Sequence, residues 1–350
     1  MTMRNILIAV VVAFVGIGSL LVYDYNQFMD APFSIASGDT MRIDVAPGRS
    51  ITSIANELKS RGVIGQSVYL AWTARINGQA RHIQAGEYAI NSEITPRTFL
   101  TMLVDGKVIQ YSFTIIDGWN TRQVLEALKS NTDVTHSLDD VTPKQLMKKI
   151  GLPSALHAEG WLFPDTYYFV RGESDVSILL RAHKAMQVHI NREWKKRDTE
   201  LPYDSPYDAL IMASIVEKET GKADERQQIA GVFVRRLRKG MKLQTDPTVI
   251  YGLGSKYNGN IRRRDLRADT PYNTYTRKGM PPTPIAMPGL ASIQAALHPD
   301  NGTALYFVAK GDGSHVFSDN LKQHNEAVIK YQLKGRRKAF SSFPGDKKKQ

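Results

Sequence analysis

Three observations predict an α+β fold behind a single apolar N-terminal helix. Residues 6–23 form one uncharged run. A strand-turn-helix pattern occurs near residue 41 and again near residue 113. Beyond residue 153, amphipathic and wholly apolar helical patterns alternate with aromatic and proline-rich loops, as expected when helices segregate from small sheets. With 350 residues, 42% of them hydrophobic, the chain exceeds one typical domain and can bury a core in each of two or three.

The apolar run comes first. A helix of about 18 residues is near the lower limit for crossing a bilayer and longer than most signal-peptide cores. A cleaved signal needs small residues at the cleavage point, whereas residues 19–25 read SLLVYDY, so a retained transmembrane anchor over 6–23 is the favoured reading. Arg4 before the run and Asp24 after it put residues 1–5 in the cytoplasm and the rest of the chain outside. Residues 24–40 then read as a polar linker.

Composition removes several chemistries. The chain has no cysteine, which excludes disulfides and thiolates, and its eight histidines show no tight ligand spacing such as HExxH. Neither a metal site nor a cofactor is expected. The net charge of +12 implies a solvated surface that attracts anions: lipid head groups, cell-wall carboxylates or nucleic acid. A membrane span argues against nucleic acid. Part of the charge lies in residues 333–350, where Lys334, Arg336, Arg337, Lys338, Lys347, Lys348 and Lys349 stand among Ser, Pro and Gly; a disordered basic tail is expected there.

Residues 41–58, MRIDVAPGRSITSIANEL, give a short alternating strand, a Pro-Gly turn and Ser50 as cap of an amphipathic helix that buries Ile51, Ile54, Ala55 and Leu58. Residues 113–128, FTIIDGWNTRQVLEAL, repeat the grammar, with Gly118 at the place of Gly48, Asn120 for Ser50, and Val124, Leu125 and Leu128 on the helix face. Two copies of a small structural unit can be simple fold economy. The first copy also resembles a LysM-type module, a class that binds N-acetylglucosamine chains, so 41–110 is read as a LysM-like module and 111–152 as a second unit and connector.

Residues 153–332 carry the candidate chemistry. EGWLFPDTYYF, from Glu159, sets aromatics beside acids, which suits either a sugar-binding groove or a core segment. A long helix over 174–194 reads as scaffold. The next, over 207–220, is apolar almost all round and should be buried, with Gly221 as a left-handed stop. On its wheel Glu219 lies over Met212, Ile215 and Val216, and Glu217 points elsewhere, beside Leu210 and Ala213. Burial and the negative end of the helix dipole should both raise the pKa of Glu219, as a general acid requires. Glu219 is the first choice for that role and Glu217 the second; the bland alternative is that either acid pairs with Lys218, Lys222, Arg226, Arg235 or Arg236. Gln244, Thr245 and Asp246 follow in a turn braced by Pro247, and Tyr272, Asn273, Thr274 and Tyr275 open a loop over 269–289 stiffened by prolines. All seven are candidate substrate contacts, with Glu159.

These motifs together resemble the endolytic murein transglycosylases of the YceG-like group: EGWLFPDTY at 159–167, ASIVEKET at 213–220, LQTDPTVIYG at 243–252, PYNTYT at 271–276, and HP with YFVA over 298–309. The resemblance covers nearly everything after the anchor. It implies an α+β catalytic domain, attachment to the inner membrane with the catalytic part in the periplasm, cleavage of the MurNAc–GlcNAc β-1,4 bond within glycan strands, and the catalytic glutamate at Glu219. Peptidoglycan, the cytoplasmic membrane and glycan-synthesising penicillin-binding proteins are the implied partners. Met287 departs from the polar residue common in the group before Pro-Gly. A muramidase using Asp246 or Glu159 to activate water, and a non-catalytic wall-binding scaffold, are the rival readings.

Overall fold

The computed structural model describes residues 3–154 and 157–336. The chain divides into two compact units, Met1–Tyr111 with Tyr168–Gly172, and Ser112–Tyr167 with Glu173–Gln350. The described residues are α+β throughout: helices accompanied by two-stranded sheets.

In the first unit, helix α1 (Met3–Asp30) is long and apolar enough to cross a membrane, and its side chains from Leu7 to Tyr23 are largely exposed. It outruns the expected span. Tyr25, Phe28 and Met29 recur at helical spacing and pack into the core of this unit, and the Phe33 amide donates to the Ile94 carbonyl at 2.8 Å. The polar linker expected over 24–40 is therefore folded as far as Ile35, which packs against the same core, because those apolar residues have a core to enter. Strand β1 (Met41–Val45) leads to α2 (Ile51–Ser60) and α3 (Ser67–Ile76), and β2 (Gly86–Ile90) returns antiparallel to β1 with Ile43 opposite Tyr88. Helix α4 (Pro96–Asp105) closes the unit behind a Thr95/Thr98 capping box. Ser50 caps α2 as expected, and Ile51, Ile54, Ala55 and Leu58 are its buried face.

Strand β3 (Tyr111–Thr114) pairs with a later strand, β4 (Thr166–Phe169); between them lie α5 (Thr121–Lys129), capped by Asn120, and α6 (Pro143–Lys149). Two long helices follow, α7 (Asp175–Trp194) and α8 (Pro206–Glu219). Every residue of α8 from Ala209 to Val216 is buried, because α7, α9 (Arg226–Arg238), α10 (Asp246–Leu253) and α12 (Leu290–Leu297) pack around it. The short α11 (Arg263–Arg267) lies between α10 and α12 in sequence. Strands β5 (Tyr306–Ala309) and β6 (His315–Ser318) form an antiparallel hairpin, and α13 (Leu321–Tyr331) covers it through Ala327 and Val328. Leu333, expected to begin the disordered tail, packs against that small cluster. The remaining tail from 337 to 350, like residues 1–2, lies outside the described residues.

The expected left-handed stop at Gly221 is not used. Helix α8 ends at Glu219, Thr220 is extended at φ −144°, ψ 137°, and the Thr220 hydroxyl accepts from the Lys222 amide at 3.0 Å. That turn of hydroxyl on backbone does the work a left-handed glycine would otherwise do. It leaves Glu219 as the last helical residue, where the chain changes direction.

Candidate active site

The site is built at the end of α8. Ser205 and Asp208 cap the helix start and Pro206 supplies a preset φ, so the register that carries Glu219 is fixed at the far end. Glu219 is partly buried. Burial pushes its pKa up to about 7; the Thr245 hydroxyl and the Arg236 charge pull the other way, and the Asp246 charge adds to the rise. The Thr245 hydroxyl donates directly to Glu219 Oε1.

Thr245 is held from three sides. Gln244 takes a left-handed φ of 52°, its amide donates to the Thr274 carbonyl at 3.1 Å, and side chains then alternate: Leu243 and Thr245 inward, Gln244 and Asp246 outward. The Thr245 amide donates to the Thr274 hydroxyl at 3.1 Å, while the Thr248 hydroxyl donates to the Thr245 carbonyl at 2.8 Å and lies 2.9 Å from the Thr274 hydroxyl. Three threonines thus lock one donor onto the carboxyl. Outside it, the Tyr275 hydroxyl donates to exposed Asp246 at 2.6 Å. Below it, buried Arg236 gives its guanidinium to the Leu243 and Leu305 carbonyls, each at 2.7 Å, and lies 5.1 Å from the Tyr306 ring centroid.

Of the candidates named from sequence, Glu219, Gln244, Thr245, Asp246, Thr274 and Tyr275 therefore come together, but not in one role. Gln244 and Asp246 are exposed at the surface of the turn, Tyr275 is half-buried, and Thr245 and Thr274 are buried supports. Asn273 is spent on its own loop: its amide donates to the carbonyls of Asp265, Leu266 and Ala268, and its oxygen accepts from the Tyr275 amide at 2.8 Å. Tyr272 lies edge-on to Tyr251, ring centroids 4.9 Å apart, with its hydroxyl 2.9 Å from that of Thr283.

Glu159 belongs to a different network. It is 2% exposed and accepts from the Thr121 amide at 2.9 Å and the Tyr251 hydroxyl at 2.8 Å. Burial pushes its pKa up to about 7 as well, against those two hydrogen bonds. Next to it, Gly160 at φ 81° approaches Pro284 so closely that a Cβ would lie 2.6 Å from the proline ring. Of the aromatic run that follows, Phe163, Tyr167 and Phe169 are core, Trp161 is half-buried and Tyr168 is exposed.

Glu217, the second choice, caps another element: its Oε2 accepts from the Gly289 amide at 3.0 Å, just before α12. Asp117 lies beside the same glycine, and its pKa is raised by burial and by the Glu217 charge. Met287 is fully buried, its amide donating to the Trp119 carbonyl at 2.7 Å and its carbonyl accepting from Gly118. A polar side chain there has no role that the backbone pairing needs. Thr248 and Tyr251, not among the candidates, also support the Glu219 and Glu159 carboxyls, respectively; both lie in LQTDPTVIYG, and the signal for Thr248 is its spacing of about one helical turn from Thr245.

At the end of the buried helix α8, then, one carboxyl whose pKa burial raises is held by one hydroxyl and bordered by exposed polar groups. The chain belongs to the YceG-like family, whose sequence model matches residues 43–330. It is similar to the endolytic murein transglycosylase of Bacillus subtilis (strain 168), 34% identical over 323 residues that cover 88% of this chain and 89% of that one. The endolytic murein transglycosylase of Streptococcus pneumoniae is 24% identical over 356 residues, 92% of this chain but 64% of that relative, so this chain spans less than two thirds of it. Among solved structures it is similar to a yceG-like protein of Listeria monocytogenes, with TM-score 0.50 and 30% identity, covering 83% of this chain and 99% of that one.

Proposed function

We propose that this chain is a peptidoglycan lytic transglycosylase cleaving the MurNAc–GlcNAc β-1,4 bond within glycan strands, with Glu219 as its proton shuttle. The observation that carries the assignment of Glu219 is its position: a carboxyl with pKa about 7 at the end of α8, fixed by Thr245 and bordered by exposed Gln244 and Asp246. Protonated Glu219 donates to the glycosidic oxygen, and C1 of MurNAc develops oxocarbenium character. The resulting carboxylate takes the proton from the MurNAc C6 hydroxyl, whose oxygen closes on C1. The acid is regenerated, no water is consumed, and the product carries a 1,6-anhydro end. One carboxyl near neutrality serves both steps, because it is as ready to give a proton as to take one.

In this reading Gln244, Asp246 and Tyr275 line the strand. The first unit suits a LysM-like glycan-binding role, supported by its β1-α2-α3-β2 order, with two helices beside a two-stranded antiparallel sheet. Helix α1 serves as a single-pass anchor of the inner membrane, supported by its length and its exposed apolar side chains; the catalytic part then works in the periplasm, where glycan-synthesising penicillin-binding proteins supply nascent strands.

The test is mass spectrometry of muropeptides released from purified peptidoglycan. Products lighter by one water than hydrolytic ones are expected. Reducing-end products instead would make the chain a muramidase, with Asp246 the carboxylate available to activate water; no products, together with retained glycan binding, would make it a binding protein.

A further inference from the structure

We propose that α3 makes a second contact with the bilayer, its Val68, Trp72 and Ile76 side chains lying among lipids at the interface beside the outer end of α1. The inference rests on the reading of α1 as a membrane span. It starts from an oddity of α3, which is apolar on two opposite sides. Leu70, Ala71, Thr73 and Ala74 face the core of the first unit, whereas Val68, Trp72 and Ile76, one helical turn apart, are 55%, 60% and 79% exposed. A helix apolar on both sides is ordinarily covered on both.

The position of that bare face identifies its cover. An open apolar cleft of about 310 Å³ separates it from α1, bounded by Leu21, Val22 and Tyr25 on one side and by Tyr69, Trp72 and Ile76 on the other. Leu21 and Val22 are among the last residues of the uncharged run that Asp24 closes, so the cleft stands at the depth where the hydrocarbon ends. The two helices are fixed to one another. Tyr69 donates its hydroxyl to the Asp24 carboxylate at 2.7 Å, Thr73 donates to the Tyr25 hydroxyl at 3.1 Å, and the Tyr25 and Tyr69 rings meet edge-on at 5.9 Å. Arg97 of α4 pairs with Asp30 at 2.8 Å and holds the end of α1. The depth of α1 therefore sets the depth of α3.

Trp and Tyr, with an apolar ring and a polar tip, are the side chains that settle at this level of a membrane. Lipid is the occupant because the stripe continues the exposed apolar surface of α1, and a surface that faces acyl chains along the span has the same neighbours at its end. Acyl chains entering the cleft would cover Leu21, Val22 and Ile76 together. The module would then be seated on the membrane by two elements and could not swivel about α1 alone.

The full chain, reconstituted into phosphatidylcholine vesicles and floated on a density gradient, tests this by fluorescence with lipids brominated near the head group. The chain has four tryptophans, so the difference between wild type and Trp72→Phe isolates Trp72, an exposed site where phenylalanine disturbs no core contact. Bromine-dependent quenching in the wild type that is lost in Trp72→Phe is the expected result. A chain that floats but is quenched equally in both forms overturns the inference and leaves the span intact, the face being covered by protein instead. A chain that does not float overturns the span reading, and this inference with it.

Discussion

Glu159 and Glu219 are both carboxyls that burial pushes up to about 7, yet they are furnished differently. Glu159 is 2% exposed and has a donor on each oxygen, the Thr121 amide and the Tyr251 hydroxyl. Glu219 receives the Thr245 hydroxyl on Oε1, among the described residues no hydrogen bond falls on its Oε2, and it stands next to exposed Asp246 in space. A raised pKa therefore reports desolvation in both places, and the role proposed for Glu219 rests on how the carboxyl is furnished and not on the shift. Under the proposed function, the feature that sets the working acid apart from the one that braces a loop is the oxygen that receives no donor.

The largest effect that this comparison predicts is at Glu219→Gln. Muropeptide release should fall by roughly 10²–10⁴-fold, since a neutral amide cannot shuttle a proton. The fold should survive, and stability should improve at alkaline pH. The folded-state pKa of about 7 lies above the ordinary 4.5, so the folded chain holds this proton more tightly than the unfolded one. Stability contributed by the group is full below about 4.5, declines as pH rises towards 7, and stays low above it. Glutamine removes that decline, so the variant should exceed wild type by about 1–3 kcal/mol at pH 8 and match it near pH 5 in urea denaturation. A variant that loses activity and is less stable at pH 8 would reduce Glu219 to a structural residue.

Glu159→Ala should do the reverse. It orphans the Thr121 amide and the Tyr251 hydroxyl and opens a cavity beside Tyr251, and at pH 6 the loss should be about 2–4 kcal/mol. Activity per folded molecule, measured below the new melting transition, should stay within a few-fold of wild type. A collapse of turnover with unchanged melting would move Glu159 into the reactive site and break the contrast.

How much of this was legible in the sequence follows the range of the forces involved. Caps and faces are local: Ser50, Asn120 and the stripe Ile51, Ile54, Ala55, Leu58 could be read from neighbours within one or two turns. The burial of α8 was legible because eight consecutive apolar or small residues leave no polar face. Glu219 could be singled out by its wheel position and Thr245 by its place on a turn braced by Pro247, but the bond between them, across 26 residues, could not be read, and Thr245 stood as a substrate contact. The fates of Glu159 and Asn273 were illegible, since a carboxyl or amide in an aromatic or polar run looks the same whether it meets a ligand or a backbone amide from a distant segment. The extension of α1 through Met29 was hidden for a related reason: averaged hydropathy drops after Tyr23, although the spacing of Tyr25, Phe28 and Met29 is helical. The end of α8 was misread because a threonine hydroxyl, and not Gly221, makes the turn.

The smallest expected effect is also the most discriminating. Thr245→Val keeps the shape of a buried side chain while removing the donor to Glu219 Oε1. That hydroxyl favours the charged carboxylate, so without it the Glu219 pKa moves further up. A general acid is active while protonated, hence the alkaline fall of kcat/KM should shift to higher pH, with a change of about 2–10-fold at pH 7, the usual worth of one hydrogen bond. Tyr251→Phe is the matched substitution at the other carboxyl, since it removes a donor from Glu159. It should lower melting temperature and leave the pH profile where it was. If both variants move the profile alike, the two carboxyls titrate as one system and the separation of roles fails; if only Thr245→Val moves it, the proton that matters in catalysis is the one on Glu219.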